Sequence, residues 1–470
     1  MTEPSGETTS PHHLHHQLIL FGPPGTSKSR RARDVNARAL GASGDSIIPV
    51  MFHPDYSYGE FVARLLPISE NGGIQYNVHA GPFIRALAMA YIALGNETVG
   101  NVVLLIDEIN RGNCAEIFGD IFQLLDRDDD GWSCYETSVS DLVIKALDDE
   151  MWRLNPGGDG EWLKPLHGEV ERLIEKRQLR LPPNLYFIGT MNTSDESVYF
   201  MDSAFKRRWN FEFRSVGFDE VAGHQCDAVI AGTEYSWSEF VNALNDFILD
   251  RCPSPKMDDK LVGPWFIKAR DPKHTLPTLK QAFPKEWASI TAYAAGVTKH
   301  AEGADNSERL ERAVLALTEQ LPASVVEEIK ELAGYDPTIA HPLRRFHRIE
   351  RSASSAGYPY YLRKAKNQEL MGIDDFIDRL GGMAAQETVY AIDRETIAGK
   401  LMLYLWDNVF DRDKSPLAAL LGVEPRMLRT FGQFTDRVDD FIERVCERAS
   451  AGQRGETELG VDNETDSVAG

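Results

Sequence analysis

The chain has 470 residues, enough for about three units of ordinary size, and its 42% apolar content supports a sizeable core and excludes wholesale disorder. Fifty Lys and Arg against 72 Asp and Glu leave a net charge of −22. Spread evenly, that charge repels a polyanion, so contact with nucleic acid requires a local basic stretch. No apolar run reaches the roughly 18 residues that cross a bilayer, and the polar start MTEPSGETTSPHH lacks the layout of a secretory signal; a cytoplasmic chain without membrane contact is expected. The five cysteines, Cys114, Cys134, Cys226, Cys252 and Cys446, never stand in C-x-x-C spacing, which points to reduced, buried thiols and to neither a disulfide framework nor a zinc site.

Residues 1–16 read as a disordered lead, in which His12, His13, His15 and His16 are solvated and lack the supporting partners of a metal site. The run QLILF from Gln17 to Gly22 then gives way to a helix-prone, Arg-rich stretch, the order strand, Gly-rich loop, helix. Between them lies Gly22-Pro23-Pro24-Gly25-Thr26-Ser27-Lys28-Ser29, in the context that a phosphate-binding loop requires. Small residues let backbone N–H groups curl around phosphate oxygens, and the helix N-terminus adds its positive dipole end. Lys28 reaches the β/γ-phosphates of a nucleoside triphosphate, and the Ser29 hydroxyl serves Mg²⁺. Ser27 stands where G-x-x-x-x-G-K-[ST] has glycine; with a positive φ, its Cβ costs about 1–2 kcal/mol.

Further apolar strands are expected at Ile47–Phe52, Val102–Ile106 and Leu185–Met191, with helical patterns between them. That alternation implies a parallel sheet covered by helices, an α/β domain over residues 17–215. The second of these strands ends in Asp107 and Glu108, at the sheet edge where α/β proteins bind ligands. Phosphoryl transfer needs a metal to neutralise charge and a group to orient the attacking water, roles that suit Asp107 and Glu108 respectively. Cys114, Ile117, Phe118, Ile121, Phe122 and Leu125 recur at helical spacing as one core stripe. Residues of about 127–182 read as an insertion with helices near Asp141–Leu154 and Glu161–Lys176. The strand at Leu185 delivers Asn192, Thr193 and Asp195, polar groups suited to sensing a γ-phosphate or positioning water. The triplet Lys206-Arg207-Arg208 offers a guanidinium to the γ-phosphate of a neighbouring subunit, which requires an oligomer. Helices follow at Trp237–Arg251, Ser307–Leu321, Ala323–Ala333 and Arg394–Phe410, and residues 451–470 read as a disordered acidic tail.

The wording of four ordered segments is more specific than any single motif. GPPGTSKS, FHPDYSYGEF at Phe52–Phe61, LIDEINRGNCAEIFGDIFQLLD at Leu105–Asp126 and LPPNLYFIGTMNTSDESVYFMDSAFKRRWNFEF at Leu181–Phe213 together resemble the McrB family of AAA+ NTPases. Weaker likeness resumes at Trp237–Lys268 and Gly399–Arg412. The resemblance implies an α/β AAA+ core, its parallel sheet sandwiched by helices. A helical lid (216–269 and 393–450) follows, with a large helical insertion (270–392). It also implies a hexameric ring, hydrolysis of ATP or GTP with Mg²⁺ between subunits, and a McrC-like nuclease partner in DNA restriction. Carried onto this chain, Lys28 and Ser29 match Walker A, Asp107 and Glu108 Walker B, and Asn192 the sensor within the family's Asn-Thr-x-Asp signature, which ends here at Asp195. Arg207 and Arg208 match the arginine-finger positions, and Arg111 a subunit-boundary contact. Family members commonly carry an N-terminal target-reading domain, whereas about twenty residues precede the loop here, so DNA reading is expected elsewhere. The rival readings are a MoxR-like protein-remodelling ATPase and a nucleotide-binding switch.

One stretch reverses the sign of the chain. Arg344, Arg345, Arg348, Arg351, Arg363, Lys364 and Lys366 interleave with Phe346, Tyr358, Tyr360 and Tyr361 against the single acid Glu350. Basic heads with aromatic faces suit phosphate contact and base stacking, which makes this a candidate surface for DNA or a partner; the alternative is a helix face pairing with acidic neighbours.

Overall fold

The computed structural model of the chain describes residues 15–70, 73–95, 100–157, 164–192, 199–252, 257–270, 277–298, 303–333, 348–351, 360–363, 370–385 and 389–448. Among the described residues up to 213, nine strands form: β1 (Gln17–Gly22), β2 (Ile47–Met51), β3 (Ala63–Glu70), β4 (Gly73–Ala80), β5 (Val102–Asp107), β6 (Thr137–Ser138), β7 (Gln178–Leu179), β8 (Leu185–Asn192) and β9 (Asn210–Phe213). Five of them form one sheet in the order β2-β5-β8-β1-β9, every pair parallel.

Burial on both faces explains why VVLLI is a continuous apolar run rather than an alternating one. Leu104 and Ile106 point into one core layer with Ile19 and Phe187. Val103 and Leu105 point into the other, with Leu20, Ile188, the helical residues Ala32 and Ala37, and Leu40 just after the helix. The first layer is closed by the helix Pro82–Leu94, whose Phe83, Ile84, Leu87 and Tyr91 are buried. Parallel order brings the carboxyl ends of three strands level: Gly22 of β1 lies opposite Asn192 of β8, and Ile106 of β5, just before the acids, opposite Gly189. A Cβ at Gly189 would come within 3.1 Å of Ile19 and 3.3 Å of Ile109, so its absence lets the elements around the edge close up.

The polypeptide divides into two compact units, one comprising Met1–Ala222, Trp237–Lys268 and Arg394–Gly470, the other Gly223–Ser236 and Ala269–Asp393. In the first, the helix Trp237–Arg251 packs its aromatic side against the C-terminal helices, with Phe240 5.9 Å from Phe441 and Phe247 5.6 Å from Phe410, centroid to centroid. The second unit gathers Leu279, Ile290, Leu310, Leu317, Ile329 and Leu380 into a core of its own. Among the described residues no helix is long and apolar enough to cross a membrane.

Several expectations need correction. The stripe from Cys114 to Leu125 is not one α-helix: Cys114–Phe118 is α-helical and Gly119–Leu125 is 3₁₀. The break falls at Gly119, whose φ of +49° would put a Cβ 2.9 Å from the Tyr58 ring. The expected helix Arg394–Phe410 is largely π-helical, at Ile397–Met402 and Leu405–Val409, with α-helical turns at Arg394–Thr396 and at residues 403–404. Segment 270–392 is not purely helical, because Arg348–Arg351, Tyr360–Arg363 and Leu370–Gly372 pair as a small antiparallel sheet. Arg344, Arg345, Phe346, Tyr358, Lys364 and Lys366 lie outside the described residues. The thiols are free, but Cys134 is exposed and Cys226 half-buried.

His16 is no solvated lead residue either. It stacks on Tyr186 at 4.8 Å, with a ring nitrogen 3.0 Å from the Pro183 carbonyl, and burial followed by the nearby Arg127 charge pushes its pKa below the usual histidine value. His12 and His13 are outside the described residues, and among those described no cluster of three or more His, Cys, Asp or Glu side chains stands ready to hold a metal ion.

Candidate functional site

The loop after β1 is shaped by backbone conformations that few side chains tolerate. Gly22 and Gly25 have φ of +145° and +80°, and Ser27 adopts φ +58°, ψ +29° as the residue before the helix. The left-handed conformation that glycine would take without penalty is therefore taken by a serine. From Lys28 the chain is continuously helical to Ala39, α at Lys28–Arg31, π at Ala32–Asn36 and α again at Ala37–Ala39. Lys28 is only 7% exposed, and its ammonium donates to the Gly22 and Pro23 carbonyls at 3.0 and 2.8 Å. The Thr26 hydroxyl donates to the Pro23 carbonyl at 3.0 Å. A buried ammonium must be solvated by something, and in this state the loop's own carbonyls supply that role. Ser29 is exposed at the first turn of the helix.

Across the edge, the Thr190 hydroxyl donates to Asp107 Oδ1 at 2.8 Å. Glu108 follows in a left-handed conformation, φ +54°, ψ +45°, before the short 3₁₀ turn Ile109–Arg111. Asn192 Nδ2 donates to Glu108 Oε1 at 3.0 Å, and Arg111 Nε lies 3.4 Å from Oε2. Asn110 Nδ2 donates to the Asn192 carbonyl at 2.8 Å. Strain of this kind at a non-glycine residue persists where surrounding contacts over-determine it; the carboxylate of Glu108 is held from two sides. Thr193, Ser194 and Asp195 lie outside the described residues.

The two arginines of the basic triplet differ completely. Arg208 has a side chain 8% exposed and pairs with Asp126 at 2.7 Å. It also donates to the Ala204 carbonyl at 3.0 Å and lies 4.1 Å over the Phe122 ring. Arg207 is exposed, and among the described residues its side chain makes no hydrogen bond or ion pair. Beside it Lys206 sits 5.0 Å over the ring of Phe200, itself 88% exposed.

Two features were not anticipated from the sequence. The segment Leu261–Lys268 is fastened to the phosphate loop: Gly263 N–H donates to the Pro24 carbonyl at 2.9 Å and Trp265 N–H to the Gly25 carbonyl at 2.8 Å. A Cβ at Gly263 would stand 2.4 Å from the Gly25 carbonyl carbon, and one at Gly25 2.5 Å from the Phe266 nitrogen. The repeated glycines were the available signal. Beside this junction lies a cavity of about 260 Å³. On its wall Arg31 and Arg214 are neutralised by Glu220, at 2.5 and 2.6 Å, and by Glu212, at 3.5 and 3.3 Å. Hydrogen bonding from Arg214, then the charge of Arg31, holds the Glu220 carboxyl below the usual range despite partial desolvation.

A glycine-rich loop opening a helix at the carboxyl edge of a parallel sheet, facing two acids and an asparagine on neighbouring strands, defines a P-loop nucleotide-binding domain. Residues 17–209 match the family described as AAA domain (dynein-related subfamily). The chain is 30% identical over 279 residues to the "Type II restriction enzyme BsuMI component YdiS" of Bacillus subtilis (strain 168), an overlap of 53% of this chain and 72% of that protein. It is 27% identical over 203 residues to the "Type IV methyl-directed restriction enzyme EcoKMcrB subunit" of Escherichia coli (strain K12), covering 43% of this chain and 36% of that one. The chain belongs to the McrB-like family of AAA+ ATPases.

Proposed function

We propose that the chain is the motor subunit of a DNA-restriction system, hydrolysing ATP or GTP at a site shared between neighbouring copies. The observation that carries this reading is the meeting of Gly22–Ser29, Asp107, Glu108 and Asn192 on one sheet edge. In it, Gly22, Pro23, Gly25, Thr26 and Ser27 wrap the phosphates with backbone N–H groups or shape the loop that does so. Lys28 exchanges the carbonyls of Gly22 and Pro23 for β/γ-phosphate oxygens. The hydroxyl of Ser29 and the carboxylate of Asp107 are hard oxygen donors, the set that suits Mg²⁺, whose charge would neutralise the phosphates when bound. Glu108 takes a proton from the attacking water while Asn192 keeps its carboxylate oriented. Arg207, exposed and unpaired among the described residues, reaches the γ-phosphate held by a neighbouring copy in a ring, six by family likeness. Arg208 belongs to the packing of its own chain. Asp195 completes the sensor signature in this reading.

The names of the relatives support restriction as the setting; a McrC-like nuclease as partner and DNA as the track are further parts of the proposal. Turnover of ATP and GTP by the purified chain, with and without DNA, tests it. Wild type is expected to hydrolyse at least one nucleotide, faster with DNA, and Glu108→Gln to bind that nucleotide while losing about 10²–10⁴-fold in turnover. Wild-type binding without turnover would leave only the switch reading, and turnover indifferent to DNA but stimulated by protein clients would favour a remodelling ATPase.

A further inference from the structure

We infer that Trp265 is the stacking platform for the nucleobase, so that the loop–lid junction recognises a nucleoside triphosphate as distinct from triphosphate alone. The inference rests on the reading of Gly22–Ser29 as a triphosphate site and adds a residue and a ligand moiety to it.

The cavity of about 260 Å³ is lined by Thr26, Ser27, Arg30, Arg214, Pro264 and Trp265, among others. It therefore begins at the loop that would hold the phosphates and runs away from it, which is where the rest of a nucleotide must go. It lies just under the size range of drug-like ligand sites, roughly 300–1,000 Å³, room for one flat heterocycle rather than a larger body. Its charges disfavour a second phosphate position: Arg31 and Arg214 are already matched by Glu212 and Glu220, and Arg30 lies 3.5 Å from Asp34. What the wall offers instead is an aromatic face. The half-buried indole of Trp265 already attracts a flat cation, the Arg30 guanidinium, 5.5 Å from its centroid.

The junction also explains how an aromatic ring on a separate segment is positioned accurately enough to stack. Hydrogen bonds from Gly263 to Pro24 and from Trp265 to Gly25 fix the segment to the loop through main-chain atoms. Trp237 Nε1 donates to the Pro264 carbonyl at 2.7 Å, tying the same turn to the lid helix. Stacking of a base on an aromatic side chain contributes about 1–3 kcal/mol, or about 10- to 100-fold in affinity.

The test compares wild type, Trp265→Ala and Trp265→Phe in the full chain by calorimetric titration with ATP, GTP and inorganic tripolyphosphate, each with Mg²⁺. Trp265→Ala is expected to weaken the nucleotides by about 10- to 100-fold while leaving tripolyphosphate within about twofold, and Trp265→Phe to recover most of the loss. Parallel weakening of tripolyphosphate would overturn the inference, because Trp265 would then act by shaping the loop; unchanged nucleotide affinity in Trp265→Ala would overturn it as well. In both cases wild type still binds nucleotide, and the motor reading survives. Wild type that binds neither nucleotide nor tripolyphosphate removes both.

Discussion

At the carboxyl end of β1 the groups proposed to hold a triphosphate lie close together, and the two charged ones at its centre are internally partnered. Lys28 is buried on two loop carbonyls, and Glu108 is held by Asn192 and Arg111. The basic turn after Ser203–Lys206 is built otherwise. One of its arginines is consumed by its own chain, through Asp126, Ala204 and Phe122, and the other, Arg207, is exposed. The difference teaches where the proposed site is complete and where it is not: in that reading phosphate binding needs one copy, whereas the outward guanidinium of Arg207 would act only against a second. Neighbouring residues of the same type therefore carry opposite duties, and their variants should fail in opposite ways.

The largest effect expected from this contrast is on turnover. Arg207→Ala should lower hydrolysis by about 10³–10⁵-fold, the range for a guanidinium supplied in trans, with little change in melting temperature because the exposed side chain makes no hydrogen bond or ion pair among the described residues. The sharper form mixes two inactive proteins. Glu108→Gln lacks the base but keeps Arg207, and Arg207→Ala keeps the base; assembled together, an intact base can face an intact arginine, and a steady-state assay should recover activity absent from either alone. No recovery in mixtures shown to co-assemble would mean that Arg207 acts within its own chain. Arg208→Ala should behave in reverse, unfolding more easily by about 2 kcal/mol as measured by denaturant titration, since Asp126 loses a charged partner and Phe122 its cation. A stable Arg208→Ala protein that no longer hydrolyses nucleotide would exchange the roles assigned to the two.

The sequence made four of the sheet's five strands legible, all but Asn210–Phe213, because burial on both faces and a strand–loop–helix order are local signals. The strands of Val102 and Leu185 each run only one residue past their expected ends, and helices Trp237–Arg251 and Ala323–Ala333 match their periodicity end to end. The β3–β4 hairpin went unseen: ARLLPISE contains Pro67 and lacks alternation, and its pairing with Gly73–Ala80 leaves Leu65, Ile74 and Tyr76 exposed, contrary to the usual inward-apolar pattern. In the site, residue types and spacing revealed the loop, the acids and Asn192. They could not separate Arg207 from Arg208, since Phe122 and Asp126 reach the triplet through the tertiary fold. The clasp between Gly25 and Gly263 left only its glycines as a trace in the sequence, since the two segments meet through the tertiary fold. Arg127 was equally hidden; its guanidinium reaches the carbonyls of Gly131, Pro182 and Leu185, and burial brings its pKa down to about 9.

Ser27 sharpens the comparison at its smallest scale, because the self-contained end of the site carries its own backbone strain. A serine at φ +58° costs about 1–2 kcal/mol relative to a residue without Cβ, while a glycine gives the unfolded chain extra freedom worth about 0.4–1 kcal/mol. Ser27→Gly should therefore stabilise the nucleotide-free protein by only about 0.5 kcal/mol, a shift of one or two degrees in a thermal melt. The backbone N–H groups that would meet the phosphates keep their positions in that variant, so nucleotide affinity should move by less than about threefold. Destabilisation of the free protein would mean that the serine side chain makes a compensating contact in the loop, and that its departure from the glycine pattern is a stabilising feature of this chain.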